Sequence, residues 1–149
     1  MAAHRALVLG LGNLLMGDEG VGVHAIRALR SETWPSGVAL VDGGSGTFHL
    51  LRRLGEFDRL IVIEGVEDGA APGTVSVLSP LDPDHLPRVL ARHDVGLRDL
   101  VESAALLGPL PHIELVSISI GASVSIELGL SAPVAAALPQ VRECVRELL

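Results

Sequence analysis

Two glutamates, an aspartate and a histidine stand where an open sheet would gather them. Glu19 lies at the loop-to-helix junction after the first predicted strand, Asp42 directly after the second and Glu64 directly after the third, while His93 precedes a helix on a separate approach. In such a sheet, the loops beyond the carboxyl ends of the parallel strands surround the crevice in which ligands bind. Two or three carboxylates and one imidazole are a donor set suited to a divalent transition metal. Each residue also has a purely structural reading. Asp18 is placed to cap a helix, and Asp42 before Gly43-Gly44-Ser45 is placed to bond the amides of its own turn. Glu19 alone is a first-turn acid favoured by the helix dipole, and His93 beside Asp94 is an ordinary loop histidine. Glu64 resists such a reading. It follows Leu60-Ile61-Val62-Ile63, and a carboxylate at the end of a buried strand is usually paired or functional.

Other chemistries fit less well. Gly10-Leu11-Gly12-Asn13-Leu14-Leu15 matches a dinucleotide fingerprint until its third glycine, where Leu15 stands, and Asp18 and Glu19 bring negative charge to the place of a pyrophosphate. Asp42 is the one feature in favour of that reading. Gly43-Gly44-Ser45-Gly46-Thr47 lacks the closing glycine of a nucleophile elbow. No His-Glu-x-x-His zinc motif occurs, and Cys144 sits between Val141 and Val145, where packing explains it.

The elements that must position these residues are legible from hydrophobic spacing. Strands are expected over 6–9, 38–41, 60–63, 74–78 and 113–120. Between them, Val21, Ala25, Ile26, Ala28 and Leu29 share one face of a helix opposite His24, Arg27 and Arg30. Phe48, Leu51 and Leu54 recur at helical spacing, as do Leu97, Leu100, Val101, Ala104 and Leu107. A last helix, with Ser131 as N-cap and Pro133 in its first turn, buries Val134, Leu138, Val141, Val145 and Leu148. Residues 79–87 form a proline-broken loop. The short link from 60–63 to 74–78 holds no helix, so these strands are expected to pair antiparallel in a mixed sheet.

At 149 residues, with neither repeat nor linker, the chain reads as one domain, 1–149. A composition 48% hydrophobic but only 2% aromatic implies an aliphatic core, as in α/β proteins with helices on both sheet faces. A net charge of −7 repels a phosphate backbone and disfavours nucleic acid as partner. One cysteine excludes an internal disulfide, and no apolar run reaches the roughly 18 residues that span a membrane. No signal peptide is recognised, so a cytoplasmic location is expected.

Gly10-Leu11-Gly12-Asn13-Leu14-Leu15-Met16-Gly17-Asp18-Glu19-Gly20-Val21-Gly22 resembles the opening motif of the nickel-iron hydrogenase maturation proteases. Asp42-Gly43-Gly44-Ser45, Leu60-Ile61-Val62-Ile63-Glu64-Gly65-Val66, Ala71-Pro72-Gly73-Thr74 and His93-Asp94-Val95-Gly96-Leu97 follow in family order, and Gly129-Leu130-Ser131 fits before the last helix. The resemblance implies an α/β fold, a three-layer α/β/α sandwich with a five-stranded, mixed, mostly parallel sheet. It implies an endopeptidase that removes the carboxyl-terminal extension of a hydrogenase large-subunit precursor once nickel is in place. Glu19, Glu64 and His93 fall on the family's nickel-contacting positions, the nickel being supplied by the precursor. Glu19 and Glu64 are then also the candidate catalytic acids, with Asp42 a weaker candidate for proton transfer. Two departures stand out: many relatives carry aspartate at the position of Glu64, and proline followed by an acid where this chain reads Ile120-Gly121-Ala122-Ser123. A nickel-sensing chaperone that does not cut, or a nucleotide-binding enzyme, is the alternative.

Overall fold

The structure, a computed structural model, describes residues 5–44, 48–87, 97–122 and 126–149. Five strands, β1 (Ala6–Leu11), β2 (Val38–Gly44), β3 (Arg59–Val66), β4 (Val75–Leu78) and β5 (His112–Ser119), form one sheet in the order β2-β1-β3-β5-β4. The first four in that order run parallel, and β4 runs antiparallel to β5. Helices α1 (Val21–Leu29), α2 (Leu97–Leu107) and α3 (Ala132–Leu148) and the 3-10 segments Gly17–Gly20 and Phe48–Glu56 complete the described elements.

The sheet is mixed, as expected, but β4 does not pair with β3. β5 lies between them, matched to β3 from Arg59 opposite His112 to Val66 opposite Ser119. The reason is burial. Both faces of β5 are covered, Ile113 and Leu115 on one and Val116 and Ile118 on the other, which suits a central strand, whereas Val77 and Leu78 of β4 are exposed and suit an edge.

Strand alternation sorts the core into two layers. Leu7, Leu9, Leu60 and Val62 meet Leu50, Leu54 and Phe57 of the segment after β2 together with Leu97, Leu100 and Val101 of α2. On the other face Val8, Ile61, Ile63, Val116 and Ile118 meet Val21, Ala25 and Ile26 of α1 and Val134, Val141 and Val145 of α3. Helical cover on both faces gives the three-layer sandwich. The segment Phe48–Glu56 is 3-10 rather than α. Leu51, Leu54 and Phe57 are three apart, the spacing that stacks side chains on one edge of a 3-10 helix. Ala28 is exposed, and Leu107 is 65% exposed because it falls in the last turn of α2, beyond the layer that covers Leu97, Leu100 and Val101. Leu138 and Leu148 are only partly buried against the second layer.

Candidate active site

Glu64 is the last-but-two residue of β3 and is only 4% exposed. Its place in the alternation, with Leu60 and Val62, turns it toward the α2 side of the sheet. Among the described residues Oε2 has no hydrogen-bond partner, and burial pushes the carboxyl up to about 7. An unsatisfied buried polar atom costs about 1–3 kcal/mol. A group kept at that cost at a sheet's carboxyl edge is a candidate for chemistry.

Glu19 lies in the 3-10 turn Gly17–Gly20 and is half-buried. Glycine lets this turn settle on the sheet. A Cβ on Gly12, whose φ is +138°, would stand 1.9 Å from the Glu19 carbonyl oxygen. That same carbonyl accepts the Asn13 N–H at 3.3 Å, and the Glu19 N–H donates to the Met16 carbonyl at 3.2 Å. The glycine turn is thus filled by the chain's own backbone, which leaves no cradle for a pyrophosphate. On β3, a Cβ on Gly65 would meet the Asp18 carbonyl oxygen at 3.3 Å. The turn bearing Glu19 therefore rests on Gly65 from the α1 side of the sheet, the face opposite that of Glu64, and the two acids lie on adjoining segments at one end of the sheet.

Asp42 sits level with Gly10 of β1, which is also level with Ile63 of β3. It alternates with Val38 and Leu40, which pack on the α1 and α3 side, so Asp42 and Glu64 leave the sheet on opposite faces. Its Oδ1 accepts the Gly44 N–H at 3.0 Å, closing a turn in which Gly44 has φ +54°. This is the structural role weighed for it from sequence.

Asp18 does not cap α1. The N-cap of α1 is Gly20 and that of the preceding 3-10 turn is Met16, neither with a side-chain bond. The chain starts its helical course earlier than expected, which puts Asp18 inside the turn. Its carboxylate instead reaches the N-cap of α3: Oδ1 accepts the Ser131 N–H at 2.8 Å and Oδ2 accepts the Ser131 hydroxyl at 2.7 Å. His93 lies outside the described residues. Among the described residues, no three acids, histidines or cysteines form a metal-holding group.

One participant had almost no sequence signal. The Gly17 N–H donates to the Glu127 carbonyl at 2.9 Å, and the Glu127 N–H donates to the Leu15 carbonyl at 3.0 Å. This short pairing brings Leu15, Ile126 and Leu128, exposed by 56%, 77% and 81%, to the rim beside the Glu19 turn. The pairing joins segments more than a hundred residues apart, and only Gly129-Leu130-Ser131 hinted at it.

A carboxyl that burial raises to about 7 takes and gives a proton readily at physiological pH. Residues 23–147 match the family model described as hydrogenase maturation protease, and the chain belongs to that family. It is 36% identical over 126 residues to the hydrogenase expression/formation protein HoxM of Azotobacter vinelandii, a match covering 80% of this chain and 59% of HoxM. The chain thus spans about three fifths of the length of that curated relative. The hydrogenase 2 maturation protease of Escherichia coli K12 is 34% identical over 151 residues, with 96% and 92% of the two chains covered. The solved structure of the hydrogenase maturating endopeptidase HybD from E. coli is similar at a TM-score of 0.78 and 33% identity, covering 96% of this chain and 93% of that one.

Proposed function

We propose that this chain is an endopeptidase that removes the carboxyl-terminal extension of a nickel-iron hydrogenase large-subunit precursor in the cytoplasm, after recognising the nickel inserted there. The observation that carries the reading is the buried Glu64 carboxyl, whose Oε2 has no hydrogen-bond partner among the described residues, at the sheet end that also holds the Glu19 turn, in a chain of this family. The exposed apolar rim of Leu15, Ile126 and Leu128 favours a protein as substrate, since apolar surface of this kind is commonly covered by a partner.

In this reading the nickel belongs to the precursor, and Glu19, Glu64 and His93 are offered to it. Peptide hydrolysis needs a proton removed from the attacking water and one delivered to the leaving nitrogen. Glu64, poised near neutrality, is suited to both transfers. Asp42, on the other face, shapes the loop after β2 and has at most a lesser part in proton transfer.

The test is incubation of the purified protein with nickel-loaded and nickel-free precursors, followed by mass measurement of both fragments. Cleavage of the loaded form alone is expected. Equal cleavage of both would remove nickel from the recognition step, and tight binding without cleavage would favour a chaperone.

A further inference from the structure

The turn that carries Glu19 is held by the far end of the chain. The two local backbone bonds at Glu19 itself are long: 3.3 Å from Asn13 N–H to the Glu19 carbonyl and 3.2 Å from Glu19 N–H to the Met16 carbonyl. Its bonds to the segment before α3 are shorter. Gly17 meets the Glu127 carbonyl at 2.9 Å, and both oxygens of Asp18 are taken up by Ser131, 113 positions away, at 2.8 and 2.7 Å. Hydrogen bonds to an ionised carboxylate are the stronger kind. The site also favours a negative charge, because Ser131 opens the 17-residue α3, whose amino end is electropositive. Asp18 and Glu19 share one planar peptide unit, so fixing the first restricts where the second begins.

We infer that Asp18 is a positioning residue: by gripping the N-cap of α3 it fixes the backbone from which Glu19 reaches the metal-bearing end of the precursor. This role rests on the reading of Glu19 given above. Asp18 itself is not offered to a ligand, since Ser131 engages both of its oxygens. An isosteric amide keeps the grip, with its oxygen accepting the Ser131 N–H and its NH2 donating to the Ser131 hydroxyl oxygen. Alanine loses both bonds.

The experiment measures the affinity of nickel-loaded and nickel-free large-subunit precursor for the full chain and its variants, at a temperature where circular dichroism shows all of them folded. Asp18→Ala is expected to weaken binding of the loaded precursor by roughly tenfold or more. Binding of the nickel-free form should change by less than about twofold, because Glu19 is read only against the metal. Asp18→Asn should restore the loaded affinity to within about threefold. In a Glu19→Gln background, Asp18→Ala should add nothing, as expected of residues that act as a unit. Wild-type affinity in Asp18→Ala, an equal loss with both precursors, or an undiminished loss in the Glu19→Gln background overturns the inference. If Asp18→Ala does not fold, Ser131→Ala takes its place, with a smaller loss confined to the loaded precursor expected and no loss overturning. Unchanged binding of the loaded precursor by Glu19→Gln alone overturns the reading of Glu19, and is told apart because Asp18 is intact in that variant.

Discussion

Gly22 of α1 lies so close to Ile63 of β3 that a Cβ on it would stand 2.3 Å from the Ile63 carbonyl oxygen and 2.2 Å from that of Leu11. Helix α1 is therefore seated on the strand one residue before Glu64. Gly22→Ala must lift the helix or distort the strand, since both neighbours are backbone. A loss of about 1–3 kcal/mol is expected from such overpacking, read by chemical denaturation. An unchanged midpoint would show that the helix has room to rise.

Glu64 makes stability depend on pH in a defined direction. Its carboxyl is pushed up to about 7 from an ordinary 4.5, so between these values the folded state holds more protons than the unfolded one. Its contribution is intact below the ordinary value and is lost as pH rises through about 7. Glu64→Gln should therefore be the more stable protein at pH 8, by up to about 3 kcal/mol, and should gain little at pH 4. Melting curves at the two pH values decide it; a variant less stable than wild type at pH 8 sinks the account. Proteolysis by this variant should be absent at every pH.

Asp42 and Glu19 should separate in kinetics. Glu19→Gln removes a carboxylate that the proposed function offers to the nickel and is expected to cut kcat/KM by about a hundredfold or more. Asp42→Asn keeps the oxygen that accepts the Gly44 N–H and should stay within about threefold of wild type. Comparable losses in the two, with normal folding, would return Asp42 to the chemistry.

Cys144 is partly buried in α3, and burial together with Glu147 raises its thiol above the ordinary range. Thiolate is the reactive form, so alkylation should be slower in the folded chain than in urea. Cys144→Ala should keep full cleavage of the precursor. Loss of cleavage on alkylation of otherwise folded protein would contradict this.

Much of the fold was legible in the sequence. Helix α2 buries Leu97, Leu100, Val101 and Ala104, and β1, β3 and β5 follow the apolar runs closely, because each is long enough to show its period or its continuous burial. Glu64 stood out for the same reason: four aliphatic residues announce a buried strand, and the acid after them must share its burial. What sequence misplaced was set by contacts between distant segments. The pairing of β4 with β5 depends on which strand the sheet buries, and nothing within 74–78 encodes that choice. Asp18 has the residue type of a cap and does serve a helix terminus, but that of α3 rather than its own. The opposite projection of Asp42 and Glu64 required the register of β1 against both neighbours.

The insertion of β5 between β3 and β4 also orders events while the chain is being synthesised. A nascent chain that has emerged through Leu78 has made β3 and β4 but not the strand that joins them. The flank of β3 bearing Glu64 stays without its neighbour until residues 112–119 leave the ribosome, and the Glu19 turn waits longer still, for Glu127 and Ser131. Pairings across such sequence separations form late. Both segments are thus completed only after most of the polypeptide has been translated, so a truncated product carries Glu19 and Glu64 without the contacts that hold their backbones.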